Sequence, residues 1–492
     1  MNESLTNTIS PGQPLTSSRP LAMKILLVLP AGEQVRVSRE APEVPRRAML
    51  RFSVLPLTAV AALTPREHNV QIVDENVEPL DFDTECDVVG ISFMTALAPR
   101  AYEIAANFRR RDRIVVAGGY HATLCPEDVA PHFDAAVAGD AEGAWERLLA
   151  DIQRGELQKI YRQPARDEPS AHPELLQTLV PRRDLLQHAA RHYATINAVQ
   201  AGRGCHHNCR YCSVTVFHGR RYRRRPVADV IGELRSLPRN IIFVDDNIIA
   251  DREHAMKLFR AMVPLRKRWV SQCSILVAYD PELLQQMRAA GCCGLFIGIE
   301  TASDENLAAM NKQFNQTASY PERLRRIRAA GIGVVAGIIV GMDGDDSRVF
   351  QETLRFLQAT RLDAVQLNIL TPLPGTPLYA DMARAERVTD RNWNHYDYRH
   401  VVFRPARMTA AELQAGADWL YAQFYRLDRI LWRFARSVFA LGWMPALLAL
   451  KLGLTYRYDN RREGIVGWNP ARTVPAPPST MGATACTSPL TA

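Results

Sequence analysis

The sequence predicts an α/β protein with two successive parallel-sheet domains and a helical C-terminal region. Short apolar runs alternate with helical stretches from residue 23 to about residue 405, which is the pattern of βαβ units. A polar, proline-rich stretch at 155–190 interrupts this alternation once. The pattern therefore indicates a doubly wound, flavodoxin/Rossmann-like domain, then a partial (β/α)6 TIM-type barrel, then helices.

The predicted boundaries follow these changes in pattern. Both chain ends are rich in Ser, Thr and Pro, which is typical of disorder. The expected segments are a disordered lead, a ligand-binding doubly wound domain, a linker, a partial barrel, a helical region and a disordered tail, at 1–22, 23–154, 155–190, 191–404, 405–469 and 470–492.

The first series contains five apolar runs with the length of buried strands. Five strands within about 130 residues fit one doubly wound sheet, whose ligands bind at the carboxyl ends of the strands. The predicted strands are Lys24–Leu29, Val70–Val73, Asp87–Phe93, Ile114–Ala117 and Ala135–Ala138, with helices at Leu55–Leu63, Pro99–Arg110 and Gly143–Ile152.

The second series contains six strand–helix units, two fewer than a complete eight-fold barrel has. Its predicted strands are Ile196–Gln200, Ile241–Val244, Val270–Val277, Leu295–Ile299, Gly333–Val340 and Ala364–Ile369, and its predicted helices include Val227–Leu237, Arg252–Leu265, Pro281–Ala290 and Arg348–Ala359.

Two apolar patterns mark the C-terminal region. Thr409–Arg436 is amphipathic and aromatic-rich, and Val438–Leu454 is strongly apolar but is interrupted by Pro445 and Lys451. No run of 18 apolar residues occurs, so we predict no membrane-spanning helix. Two interpretations remain open: a hairpin packed on the barrel, or a segment that lies in an acidic membrane interface and favours a hydrophobic substrate.

Composition restricts the partners and the compartment. The net charge of +8 fits a solvated basic surface or an anionic ligand, and the sequence has no nucleic-acid-binding motif. Nine scattered cysteines and the lack of a signal peptide indicate a cytoplasmic protein, peripheral to the inner face of the membrane if the interfacial interpretation holds.

The strongest chemical signal is a cysteine triad directly after the first strand of the second series. Cys205, Cys209 and Cys212 form C-x3-C-x2-C. Three thiolates on one loop can bind three irons of a 4Fe–4S cluster and leave the fourth iron open. The alternative is a zinc site completed by His206 or His207.

This loop, after strand one of a six-fold βα series, resembles that of the radical S-adenosylmethionine (SAM) superfamily. Three further stretches resemble the branch with an N-terminal cobalamin-binding domain, which includes anaerobic magnesium-protoporphyrin ester cyclases and cobalamin-dependent methylases: Ile242–Ile249, Gly291–Thr301 and Leu370–Tyr379. The resemblance implies a 4Fe–4S cluster, SAM on its open iron, a 5′-deoxyadenosyl radical and bound cobalamin. A flavodoxin- or ferredoxin-type protein would supply the electron.

Polar and small residues at the carboxyl ends of the barrel strands are the candidate SAM-binding groups. The alternatives are a helix cap for the Asp–Asp–Asn trio, a surface strand end for the glutamate and plain turns for the glycines. The candidates are Asp245, Asp246, Asn247, Glu300, Gly337 and Gly341.

Two further features belong to the barrel. The stretch His218–Arg225 holds five arginines, which suit an anionic substrate or an acidic electron donor, although a solvated basic face would carry the same residues. The proline-rich loop Thr371–Leu378 is predicted to form a rigid rim over the pocket or a simple turn.

In the first domain, the resemblance implies that the loops after the third and fourth strands hold cobalamin. The classical D-x-H-x-x-G motif is absent, so His121 is not assigned as a cobalt ligand. The candidate contacts are Ser92, Thr95, Gly118, Gly119, His121 and Thr123.

Three hypotheses for the function follow, and in each of them the protein acts on or binds a small molecule. The first is a cobalamin-dependent radical SAM methyltransferase that acts on a hydrophobic or lipid-like compound. The second is a radical SAM cyclase or rearrangement enzyme without methyl transfer. The third is a non-catalytic metal- or ligand-binding regulator, which the polar strand ends disfavour.

Overall fold

The computed structural model describes residues 22–39, 51, 55–162 and 179–462. The predicted tail at 470–492 and all but residue 22 of the predicted lead lie outside these ranges. Within them, the α/β class with two successive parallel sheets and C-terminal helices is confirmed.

The first sheet has six strands, all parallel, in the order β2-β1-β3-β4-β5-β6. The first five positions follow the flavodoxin-like order, and a sixth strand extends one edge. The strands are β1 (Lys24–Leu29), β2 (Asn69–Asp74), β3 (Val88–Ser92), β4 (Ile114–Gly118), β5 (Ala135–Ala138) and β6 (Ile160–Arg162). The helices are α1 (Leu55–Leu63), α2 (Ala98–Arg109), α3 (Tyr120–Leu124), α4 (Pro126–Val129) and α5 (Ala144–Arg154).

Strand β6 lies inside the stretch predicted as a linker, 155–190. It pairs with β5, and the buried Tyr161 hydroxyl donates a hydrogen bond to Asp151 at 2.8 Å. A 3-10 helix at Arg183–His192 buries Leu186 against the same domain. Three strand residues in a polar stretch are too few to show an alternating pattern, which is why the sequence did not reveal this strand.

The second sheet also has six parallel strands, in the order β14-β13-β12-β11-β10-β7. This is the predicted partial barrel. Its strands, with the antiparallel pair β8–β9 beside them, are β7 (Ala198–Val199), β8 (Gly202–Arg203), β9 (Arg223–Arg224), β10 (Asn240–Phe243), β11 (Arg268–Cys273), β12 (Cys292–Glu300), β13 (Gly333–Val340) and β14 (Ala364–Ile369). The helices are α6 (Ser213–His218), α7 (Val227–Ser236), α8 (Arg252–Met262), α9 (Pro281–Ala289), α10 (Asp304–Ala309), α11 (Tyr320–Ala329), α12 (Val349–Ala359) and α13 (Pro377–Arg384).

Strand β11 ends earlier than predicted. The apolar run Val270–Val277 continues past Cys273 as a 3-10 turn at Ile275–Tyr279. The Ser274 hydroxyl caps this turn by accepting a hydrogen bond from the Leu276 amide. A buried turn is as apolar in sequence as a buried strand, so a prediction from hydrophobicity alone placed the end of β11 too late.

The C-terminal region forms three helices, α14 (Ala410–Phe424), α15 (Leu427–Leu441) and α16 (Trp443–Arg462). The pattern predicted as one helix at Thr409–Arg436 is therefore divided between α14 and α15. Pro445 lies in the first turn of α16, where its missing N–H costs no helical hydrogen bond. In the described part of the chain, no helix is both long and apolar enough to cross a membrane.

The two sheets share part of one core. Leu373, Trp393 and Val402, which follow the last barrel strand, pack with the apolar side chains of the first domain. The Trp393 indole also donates a hydrogen bond to Asp128 of α4 at 3.2 Å. The chain after β14 thus fastens the barrel to the first sheet.

Candidate functional site

The three cysteines of the triad lie on one loop between β8 and α6. Cys209 is buried, and Cys205 and Cys212 are half-buried. The Cys212 amide donates a hydrogen bond to the Cys209 carbonyl at 3.1 Å, and Cys212 is the residue before α6. The next cysteine in the chain, Cys273, is 3% exposed and packs in the barrel core. This donor set fits a cubane cluster with three thiolates on one loop.

Two carboxylates, the buried Asp245 and the half-buried Asp246, hold the backbone that leads into this loop. Asp245 accepts hydrogen bonds from the amides of Ala201 at 3.0 Å and Gly202 at 2.6 Å. Asp246 accepts one from the Gly204 amide at 2.8 Å. We predicted that both acids bind SAM, but both accept hydrogen bonds from backbone amides, which supports a role in positioning the cysteine loop.

The turn before Cys205 requires glycine. Gly204 has φ +88°, and a Cβ atom there would lie 2.2 Å from the Arg221 carbonyl oxygen. A side chain is therefore excluded both by the left-handed backbone and by the Arg221 carbonyl group.

The helix-cap interpretation of the acidic trio is wrong. Helix α8 is capped by Asp251, whose side chain accepts a hydrogen bond from the His254 amide. Asn247 instead accepts a hydrogen bond from the Ser274 amide at 3.1 Å, which joins the ends of β10 and β11. Burial raises the pKa of the Asp245 carboxyl to about 7, against its hydrogen bonds from backbone amides.

Glu300 ends β12 in a buried ion pair that the sequence did not reveal. Its carboxylate binds the Lys312 ammonium group, and Lys312 also donates a hydrogen bond to the Tyr211 hydroxyl at 3.1 Å. Glu300 is 8% exposed, so the surface-strand-end interpretation is wrong. Because Tyr211 lies between two cysteines of the triad, this network borders the cysteine loop. No periodic pattern links residues 300 and 312, and no sequence signal would have found the pair.

The two candidate glycines differ. Gly337 pairs with Gly298 across β12 and β13, which leaves a flat patch of sheet, and a Cβ atom at 337 would lie 3.0 Å from the Phe296 ring. Gly341 has φ +95°, and a Cβ atom there would lie 2.6 Å from Leu413 of α14. Gly341 therefore serves a turn and a helix contact, whereas Gly337 lets the Phe296 ring pack against the strand backbone.

The zinc alternative depended on the neighbouring histidines. The His207 ring stacks on Phe314 with centroids 4.0 Å apart, and burial lowers its pKa to about 4. Within the described ranges, no three His, Cys, Asp or Glu side chains are grouped to hold a single metal ion.

In the first domain, the loops after β3 and β4 contact each other. Gly119 has φ +90°, and a Cβ atom there would lie 2.9 Å from the Phe93 amide nitrogen. The Thr123 hydroxyl donates to the Gly119 carbonyl at 2.8 Å and accepts from the Gly139 amide at 2.9 Å. Gly118 ends β4 beside Ser92 of β3. The predicted cobalamin loops therefore share one edge of the sheet.

His121 joins these loops from inside the domain. His121 is fully buried, with 0% of its surface exposed. Its Nδ1 atom lies 3.3 Å from the Thr95 hydroxyl, and its Nε2 atom lies 3.1 Å from an Asp128 oxygen. We predicted that His121 binds the cofactor, but a buried ring with both nitrogens engaged positions the loops instead.

The carboxyl edge of the first sheet meets the cysteine loop. Glu142, after β5, lies 2.7 Å from the Arg203 guanidinium group, and Asp140 lies 2.5 Å from that of Arg223. The rings of Tyr120 and Phe217 are 4.6 Å apart across the same boundary. The two acids were not predicted, although the strand-end rule applied to Asp245 would also have selected Asp140.

The arginine run is mostly internal. Arg223 pairs with Asp140, as above, and Arg224 pairs with Asp251 at 2.8 Å. Arg225 is buried against Glu233 at 2.6 Å. Arg220 and Arg221 are exposed beside the cysteine loop. The solvated-face interpretation therefore fails for three of the five arginines in His218–Arg225.

The proline-rich loop Thr371–Leu378 touches the first domain. Gly375 has φ +78°, and a Cβ atom there would lie 3.3 Å from the Leu124 side chain of α3. The predicted rim is thus also a contact between the two domains.

Comparison with known families agrees with this geometry. Residues 199–357 match the radical SAM superfamily, and residues 50–149 match the B12 binding domain. The chain therefore contains a radical SAM domain and a B12-binding domain. As a radical SAM enzyme it uses a 4Fe–4S cluster and SAM, and the B12-binding domain adds cobalamin.

Several known proteins are similar over most of this radical SAM chain. The bacteriochlorophyllide d C-12(1)-methyltransferase of Chlorobaculum tepidum is 28% identical, covering 87% of this chain and 92% of its own length. The hopanoid C-2 methylase of Rhodopseudomonas palustris is 29% identical, covering 68% and 64%. The structure of TsrM from Kitasatospora setae, a radical SAM methyltransferase solved with cobalamin and a 4Fe–4S cluster, superposes with a TM-score of 0.59 at 19% identity, covering 86% and 91%, and has the same fold.

Proposed function

We propose that this radical SAM enzyme is a cobalamin-dependent C-methyltransferase that acts on a hydrophobic or lipid-like small molecule. The observation that carries the proposal is the meeting of the two ligand-bearing edges. The loops after β4 and β5 contact the segments on either side of the cysteine loop, through the Tyr120–Phe217 ring contact and the Asp140–Arg223 and Glu142–Arg203 ion pairs. Such an arrangement puts a substrate between two cofactors.

The residues of the chain act by positioning and by excluding water. The cluster supplies the electron that cleaves SAM, and cobalamin supplies the methyl carrier. Cys205, Cys209 and Cys212 are the proposed cluster ligands, on a loop that Asp245 and Asp246 hold in place. Gly298 accommodates the Glu300–Lys312 ion pair, because a Cβ atom there would lie 2.8 Å from the Lys312 ammonium nitrogen, and Asn247 fixes the neighbouring strand end.

The first test is the stoichiometry of the products. The protein is purified without oxygen, loaded with iron, sulfide and cobalamin, and supplied with SAM, a reductant and candidate lipids. Methyl transfer to carbon consumes two SAM molecules, and we expect one 5′-deoxyadenosine with methionine and one S-adenosylhomocysteine for each CH2 gained. A product without added mass, formed with 5′-deoxyadenosine alone, would favour the cyclase or rearrangement function. No SAM cleavage at all would favour the regulator.

Two single cysteine substitutions, one in the triad and one in the barrel core, test the assignment of the cluster ligands. Cys209→Ala removes a proposed ligand, and we expect iron content and SAM cleavage to be lost together. Cys273→Ala removes a cysteine from the barrel core, and we expect it to lower stability but to retain about four irons per chain. Equal iron content in the two variants would contradict the ligand assignment.

We also propose that the α15–α16 hairpin touches an anionic membrane surface. Trp432, Phe439 and Trp443 are 69%, 91% and 63% exposed, and Arg and Lys outnumber Asp and Glu in these two helices. Exposed aromatic and cationic side chains on one amphipathic element are typical of interfacial helices. The hydrophobic substrate class of the proposed function fits this location.

Flotation tests this contact. We expect the full-length protein to float with phosphatidylglycerol vesicles and not with phosphatidylcholine vesicles, and the triple variant W432S/F439S/W443S to remain at the bottom. Val263→Ser, which removes an exposed apolar side chain elsewhere on the barrel, is the control. Equal flotation of the wild type and the triple variant would refute the proposal.

A further inference from the structure

The interior of the barrel contains an apolar cavity of about 670 Å³. In a complete barrel the interior is packed with side chains. Here Val244 lines the cavity and is 37% exposed although it lies inside the barrel. Gly294 and Gly333, paired across β12 and β13, contribute no side chain to fill it. The volume falls in the range of about 300–1,000 Å³ that small-molecule sites occupy.

Helix α16 closes the amino end of this cavity. Leu448, Leu452 and Tyr456 of α16 line it, together with Asn240 and Arg268, which begin their barrel strands. The C-terminal apolar stretch is thus a hairpin packed on the barrel, one of the two predicted alternatives. Its packing on the barrel does not exclude the membrane contact, because other side chains of the hairpin remain exposed.

The cavity is separate from the residues of the cluster loop. Its upper boundary is formed by Asp245, Asp246 and Gln272, and the Gln272 amide donates to the Asp246 carbonyl at 2.9 Å. Glu300 and Gly341 are not among its lining residues. The space therefore lies between the layer that holds the cysteine loop and α16.

The walls determine the class of ligand. Between the polar ends, most lining side chains are hydrocarbon, among them Ile242, Val270, Phe296 and Val335, and Gln366 of β14 adds a polar side chain to the wall. A polar ligand would lose its hydrogen bonds with water there and would find few partners along the walls to replace them. An apolar chain or fused-ring skeleton has no hydrogen bonds with water to lose, and its transfer from water into the cavity is favourable in free energy.

We propose that this cavity binds the apolar part of the substrate, with α16 as its floor. The site would hold a hydrocarbon chain or ring system lengthwise, so that the end to be modified lies at the upper boundary, near the cysteine loop. The link to catalysis rests on the proposed methyltransferase function, whereas the binding of an apolar molecule does not.

A neutral fluorescent probe tests the site without any reaction. N-phenyl-1-naphthylamine is titrated into the full-length, reconstituted protein without SAM or reductant. We expect one bound probe per chain. Leu448→Trp fills the floor and should weaken binding at least tenfold, whereas Leu454→Trp, on the same helix but 42% exposed, should change it less than twofold.

Two further variants keep the test decisive. Val244→Phe fills the cavity from the opposite end and should also weaken probe binding if Leu448→Trp fails to fold, as judged by its melting curve. The triple variant W432S/F439S/W443S removes the exposed aromatic face and should bind the probe normally. Loss of binding in the triple variant, or equal binding in both cavity-filling variants and the wild type, would overturn the proposal.

The outcome is distinguishable from that of the proposed function. Probe binding with the expected variant pattern but no SAM cleavage would refute the enzyme activity and keep the cavity site. SAM cleavage without saturable probe binding would refute the cavity site alone.

Discussion

Replacing Lys312 by methionine would test whether the buried ion pair beside the cysteine loop determines local stability. The Lys312 ammonium group binds the Glu300 carboxylate, and each side chain is 10% exposed. Lys312→Met keeps most of the side-chain volume but leaves the carboxylate buried without its counter-charge. Leaving one charge of a buried pair uncompensated costs about 3–5 kcal/mol of folding free energy. The pair itself contributes much less, because both charges lose hydration when they are buried.

The double variant Glu300→Gln/Lys312→Met should therefore be more stable than Lys312→Met alone. We expect the double variant to lie within about 2 kcal/mol of the wild type, since a neutral pair of similar shape avoids the isolated charge. The free energy of unfolding is measured by urea titration, monitored by circular dichroism, on samples adjusted to equal iron content. Equal destabilisation of the single and double variants would refute the reasoning, because the loss would then come from packing and not from charge.

Two further predictions concern the cysteine loop and its surroundings. Gly204→Ala should lower iron content and melting temperature, because its Cβ atom would lie 2.2 Å from a backbone oxygen. Gly219→Ala, at φ +70° with no atom within 4 Å, should retain iron and cost only the backbone strain of about 1–3 kcal/mol. The double variant Arg220→Glu/Arg221→Glu should raise the KM for a reduced flavodoxin at least fivefold, because it would repel an acidic electron donor. SAM cleavage driven by dithionite should stay unchanged. An unchanged KM would show that the electron donor docks elsewhere.

Strand spans and their alternation with helices were sufficient to predict the fold class. Helix α1 was predicted with its exact bounds, and β1 was as well. Both consist almost entirely of apolar residues, so hydrophobicity is sufficient to define them. Strand β6 was missed because backbone hydrogen bonds to β5, and not its own side chains, determine its conformation.

The residues of the site could be predicted only where the groups that act together are close to each other in the sequence. The cysteine triad occupies eight consecutive residues and carries its own spacing. The partners of Asp245 lie 43 and 44 residues away, and Asp140 meets Arg223 only after two domains have packed. Strand-end rules identify such carboxylates as polar groups near a site, but they do not say whether a ligand or the backbone will be the partner.

The way the barrel is fastened to the first sheet limits how the protein can be divided into pieces. A fragment that ended between the two sheets, near residue 170, would leave out Trp393 and Val402, which complete the core of the first domain. Each large apolar side chain removed in this way would forfeit about 1.5–3 kcal/mol of burial. Expression of the amino-terminal half alone should therefore give an unstable product unless residues 370–404 are supplied as well, so the folding unit of the first domain includes this distant segment.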